Sequence, residues 1–185
     1  MKFKVILFFA AAISLASCVD IPDFSDTPKI YYNGISQHTE IDTITSPGNE
    51  QKVEIVTITI DFEDGDGDLG ASEEERNDVN FREAYTKVPN WGLPANYELI
   101  TMTKQRDSSW TERIIPLDSS KFFKILKTDG KPGPIKGKLD LFVRFPDSRS
   151  TVKTTQKYKV RIIDRAFHIS NQIEPTDEVI VPILQ

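Results

Sequence analysis

Alternation with a period of two residues is the feature that most constrains this chain. Over residues 53–62, Val56, Ile58, Ile60 and Phe62 share one face, while Thr57, Thr59 and Asp61 share the other. Over residues 138–145, Leu139, Leu141, Val143 and Phe145 point one way and Lys138, Asp140 and Arg144 the other. Residues 157–162 (Lys-Tyr-Lys-Val-Arg-Ile) alternate as cleanly. A helix needs apolar residues every three to four positions, so these stretches are strands buried on one face, as antiparallel sheets show. Weaker strand signals lie at residues 97–103, 110–115, 122–125 and 178–183, where Pro182 places the last strand at an edge. Seven or eight short strands, punctuated by Asp129-Gly130 and Pro132-Gly133-Pro134, predict an all-β fold: a single antiparallel β-sandwich. The domain is expected to begin at Lys29-Ile30-Tyr31-Tyr32, with Asn33-Gly34 as a turn. One long loop, residues 63–96, interrupts the strands. It carries one expected short helix at residues 72–77, where Ser72 and Glu75 have capping-box spacing.

The N-terminus follows another pattern. Lys2 and Lys4 precede the apolar run from Val5 to Ile13, which is shorter than the ~20 residues a membrane span needs. Leu15-Ala16-Ser17-Cys18 then matches a lipobox. Residues 1–17 are therefore expected to be a lipoprotein signal peptide, with lipid attached to Cys18 and residues 18–28 forming a proline-containing tether. The sandwich occupies 29–185. Cys18 is the one cysteine in the sequence, so it can form no internal disulfide. Acylation accounts for a lone thiol in an exported chain, and each buried acyl CH₂ contributes ~0.8 kcal/mol to membrane anchoring. The address this implies is the cell envelope, at the periplasmic or surface face of the outer membrane. Loss of Lys2 and Lys4 with the signal leaves 21 basic residues against 28 acidic ones, a formal charge of −7. That balance argues against nucleic acid as a partner.

The most unusual composition follows the best strand: Asp61-Phe62-Glu63-Asp64-Gly65-Asp66-Gly67-Asp68-Leu69-Gly70. Glycines between Asp64, Asp66 and Asp68 let the backbone curl and aim several carboxylates at one point. A hard cation such as Ca²⁺ takes about six to eight oxygen ligands. Without one, the charges repel at ~1 kcal/mol per close pair in water. A solvated acidic turn is the competing reading. An EF-hand fits only in part: position six of the loop, which must be glycine, is Leu69, and the loop follows a strand.

A second loop, Asp164-Arg165-Ala166-Phe167-His168-Ile169-Ser170-Asn171, follows the strand ending at Ile163. Together the two loops resemble those of small Bacteroidota-type lipoproteins with immunoglobulin-like or cadherin-like sandwich domains. Those carry Asp-Gly-Asp-Gly-Asp-(Leu/Ile)-Gly after an early strand and Asp-Arg-Ala-Gly-Asn-x-Ser-Asn after a late one. The resemblance implies an immunoglobulin-like fold in which both loops share one end and one cation. Carried over by position, it implies Asp64, Asp66, Asp68 and Asp164 as ligands. Phe167 and His168 replace the family's Gly-Asn, which leaves Asn171 as a substitute ligand.

No catalytic constellation is legible. His38 and His168 lack the spacing of a zinc site and read as surface or loop residues, and no Gly-x-Ser-x-Gly or His-Glu-x-x-His motif occurs. The expectation is a non-catalytic binding module for an unknown protein or glycan. The alternative is a glycan-binding accessory lipoprotein of a polysaccharide-uptake system, with a small hydrolase behind it. Trp91, in Pro89-Asn90-Trp91-Gly92-Leu93-Pro94, is the candidate ligand-binding residue; its other reading is a plug that pins the long loop onto the sheet.

Overall fold

In a computed structural model of the chain, the described residues are 22–42, 51–119, 121–146, 152–174 and 177–182. The expected signal peptide and Cys18 lie outside them. The described residues form seven strands: β1 (Lys29–Asp42), β2 (Gln51–Asp64), β3 (Tyr97–Lys104), β4 (Trp110–Ile114), β5 (Ile135–Pro146), β6 (Thr154–Ile162) and β7 (Val179–Val181). All pairings are antiparallel, in one sheet ordered β1-β2-β5 and another ordered β4-β3-β6-β7. The three cleanest alternations became β2, β5 and β6, and the inward set of each lies in one apolar cluster. Val56, Ile58 and Ile60 of β2, Leu141 and Val143 of β5, and Tyr158, Val160 and Ile162 of β6 are all buried there. Both sheets therefore bury one face against a shared core.

Four expectations change. Asn33-Gly34 is not a turn: β1 continues to Asp42, with a register shift between Tyr32 and Gly34 that absorbs one extra residue. Residues beyond this bulge are mostly polar, so the sequence alone gave them little strand signal. Phe122–Ile125 is not a strand either and makes only an isolated bridge, Lys124 to Ala71. Its backbone is claimed by Asn96, whose side chain donates to Phe123 O at 3.1 Å and accepts from Phe123 N at 2.9 Å. The long loop holds two helices instead of one, α1 (Glu73–Asn77) and α2 (Val79–Thr86), and a further short helix α3 (Pro116–Ser119) follows β4. Asp78 makes the second helix possible: it ends α1, and its side chain caps α2 by accepting from Asn80 N. Finally, the tether's last residues are docked, since Ser25 O accepts from Gly65 N at 2.9 Å and Pro28 is buried.

The capping box of α1 is present: Glu75 N donates to Ser72 Oγ, and Ser72 N donates to Glu75 Oε2. β7 lies at a sheet edge, as Pro182 required, although it is shorter than expected. Among the described residues no helix is long and apolar enough to cross a membrane.

Candidate metal centre

Residues 64–70 turn because glycine permits it. Gly67 and Gly70 have φ of +74° and +106°, and a Cβ on Gly70 would lie 2.3 Å from Lys124 O. Between these glycines, Leu69 drops its fully buried side chain into the main core. That contact gives the physical reason a leucine stands at EF-hand position six: here the residue is a plug, and the turn is made elsewhere.

The curl brings Asp64, at the end of β2, beside Asp68 and across from Asp164, which follows β6. One ligand atom from each of the three carboxylates lies within 4.8 Å of the others. Asp64 and Asp164 are fully buried and Asp68 is partly so. Their hydrogen bonds are incomplete. Asp64 Oδ2 accepts from Asp68 N at 3.1 Å and Asp68 Oδ2 accepts from Ala166 N at 3.0 Å. The second oxygens, Asp64 Oδ1 and Asp68 Oδ1, are buried and meet no donor. Asp66 stands outside this group of three. Its side chain accepts from Asp68 N of the same loop at 3.3 Å, and its carbonyl accepts from Gly133 N of the turn before β5.

Burial pushes the Asp64 carboxyl up to about 7, the charges of Asp66, Asp68 and Asp164 adding to the effect and the Asp68 N–H opposing it. Burial likewise raises Asp164 to about 6, against the pull of His168. Asp68 is raised by burial and by Asp66. Buried polar groups are ordinarily hydrogen-bonded, and two orphan carboxylate oxygens pointing into one cluster of like charge are costly. A set made only of carboxylate oxygens suits a hard cation, whereas zinc prefers nitrogen and sulfur. The three aspartates can hold a metal ion.

His168 is the residue that the sequence undervalued. Its backbone N donates to Asp164 Oδ1 at 2.7 Å, and its Nδ1 lies 2.9 Å from Asp164 Oδ2. The Asp164 charge raises the His168 pKa. Only the i,i+4 spacing from Asp164 hinted at this pairing. Asn171 is not available as a ligand, because its side chain accepts from Ile30 N and donates to Ile30 O, tying the late loop to β1. Arg165 bridges the two loops through a bidentate contact with the carboxylate of Glu75.

A second apolar cluster steadies the site from behind. Tyr85 of α2, Trp91 and Ile163 are buried there, and Tyr85 meets Phe122 and Phe167 edge-on at 5.1 and 5.0 Å. Phe167 has φ of +68°, the left-handed region that favours glycine. Its contact with Tyr85 offsets part of that strain. Trp91 is only 6% exposed, donates from Nε1 to Ala95 O at 2.9 Å, and has the Arg161 guanidinium 5.2 Å from its ring centroid. The indole is thus a plug under the long loop and leaves little ring face for a glycan.

Comparison of the chain with family models, with curated proteins and with solved structures finds no match.

Proposed function

We propose that this protein is a non-catalytic binding module of the cell envelope, held to a membrane by lipid on Cys18 and braced by Ca²⁺ at Asp64, Asp68 and Asp164. The observation that carries the calcium reading is the pair of buried, unpartnered oxygens, Asp64 Oδ1 and Asp68 Oδ1, inside a cluster of like charge. Asp66 serves as an outer charge that raises cation affinity. Backbone carbonyls and water would supply the rest of the oxygen shell that calcium takes.

The cation would tie the strand end at Asp64 to the late loop at Asp164, and so fix one end of the domain. We read the fold as an immunoglobulin-like sandwich. The orders β1-β2-β5 and β4-β3-β6-β7 support this, because they correspond to strands A-B-E and C′-C-F-G of that architecture. In such folds, recognition surfaces are carried by loops and edges on a rigid scaffold. The lipobox supports the envelope address.

Thermal melting in saturating calcium and in chelator tests the cation. A ligand bound only by the folded state adds about 2.7 kcal/mol at 100-fold excess over its Kd, so the melting temperature rises with calcium. An unchanged midpoint would overturn the calcium reading. Radiolabelled fatty acid in cells expressing the full chain tests the anchor; label should enter the parent and not Cys18→Ala.

A further inference from the structure

We propose that the free edge of β5, with the groove beside it, is a docking site for an extended acidic segment of a partner protein, which adds to the β1-β2-β5 sheet as a further strand. This names a partner for the binding module proposed above and does not require the cation.

β5 is 12 residues long and, among the described residues, pairs with β2 alone. On its other side, alternate residues present N–H and C=O groups that no backbone among the described residues meets. Helix α3 packs against part of β5; the remainder of that edge is a template for another chain, and strand addition is a common route to peptide recognition. A cavity of about 460 Å³ lies along this edge, between residues 139–142 of β5 and the segment 121–126. The volume falls within the ~300–1,000 Å³ of ordinary ligand sites.

The far wall is preformed. Phe123 holds the Asn96 side chain through both its backbone N and O, its O also accepts from Ala71 N at 3.1 Å, and Leu126 N donates to Leu69 O at 3.1 Å. A wall fixed in advance lowers the ordering cost of binding.

Charge selects the occupant. In a chain of formal charge −5, this groove carries Arg76 and Lys124 against a single acid, Asp140, which is already held by the Thr59 hydroxyl at 2.6 Å. Phe142, 48% exposed, adds an apolar patch to the groove. A strand alternating acidic with apolar residues meets both features. A second copy of this chain does not, because β5 against β5 would set Lys136 and Lys138 of each copy on one face, and like charges on facing strands repel.

The test uses the full chain in detergent with calcium present, and fluorescence anisotropy of a labelled peptide of alternating Glu and Val. Saturable binding is expected. Lysine in place of every glutamate should weaken it at least about tenfold, a difference of ~1.4 kcal/mol. Methylation of alternate backbone nitrogens of the peptide should do the same, because it removes the ladder donors. Lys124→Glu and Phe142→Glu, both at exposed positions, should each lower affinity with the melting temperature unchanged. No binding of the acidic peptide, equal binding of the lysine peptide, or indifference to Lys124→Glu would overturn the proposal. So would a concentration-dependent dimer that Phe142→Glu dissolves, since a second copy would then occupy the edge. Peptide binding retained by a chain that ignores chelator would uphold the groove while removing the cation.

Discussion

Replacing Asp64 with asparagine should change the stability of this protein in opposite directions with and without calcium. The carboxylate is fully buried, and its Oδ1 has no donor. At the 4.8 Å that bounds the three-aspartate cluster, a like-charge pair costs about 3.5 kcal/mol at an effective dielectric of ~20. The raised carboxyl gives a similar figure. A shift from 3.8 to about 7, at ~1.36 kcal/mol per unit, makes the ionised folded state about 4 kcal/mol less favourable than the unfolded one at alkaline pH. Asparagine keeps an oxygen to accept from Asp68 N and gains a donor facing the remaining carboxylates. In chelator at pH 8, Asp64→Asn should therefore be more stable than the parent by roughly 2–4 kcal/mol, which is about 5–15 °C for a domain of this size. In calcium the order reverses, because the parent gains the binding energy and the variant has lost one of three charged ligands. Paired scanning-calorimetry runs of both proteins, with and without calcium, read the crossing directly. A variant that melts below the parent in chelator, or an equal calcium shift in the two, would refute the assignment.

Three further outcomes follow from the same geometry. In chelator, the midpoint should fall as pH rises from about 4 to about 7.5. Asp64 and Asp164 hold protons more tightly folded than unfolded, so their contribution is greatest below the unfolded carboxylate range and is lost as pH passes through about 6 and 7. His168, raised by Asp164, loses its contribution in the same direction, and calcium should flatten the curve by taking the protons' place. Tyr85→Phe should be neutral or stabilising by up to about 1 kcal/mol in urea titration, because the Tyr85 hydroxyl is buried without a partner; a loss above that would reveal a bond to water. Arg161→Ala should cost about 3–5 kcal/mol in the same assay, since it strips Glu98, 3% exposed, of its bidentate partner and also uncovers Trp91. Glu98→Gln in that background should recover part of the loss.

How much was legible in the sequence depended on whether the signal was local. Strands β2, β5 and β6 were readable because a side chain's face follows from its position parity, and one apolar face of each is buried in the core. The Ser72–Glu75 box was readable because both partners lie within one turn of helix. The far half of β1 was not, since its polar residues make a strand only through the ladder with β2. Neither was the fate of residues 122–125, whose strand-like composition was overruled by the Asn96 side chain and by Ala71.

The same division runs through the site. The spacing of Asp64, Asp66 and Asp68 between glycines fixed where carboxylates concentrate, and nothing but folding could choose among them. Tertiary structure set Asp66 toward its own loop backbone, buried Asp64, and brought it and the half-buried Asp68 opposite Asp164, 96 or more residues further along the chain. It gave Asp164 a histidine partner, turned Trp91 inward beneath Arg161 and, among the described residues, left β5 with β2 as its one strand partner. Periodicity and turn chemistry act between near neighbours and are written in the sequence. Burial, orphaned oxygens and free edges are properties of which distant segments meet, and they exist only once the two sheets have closed on their core.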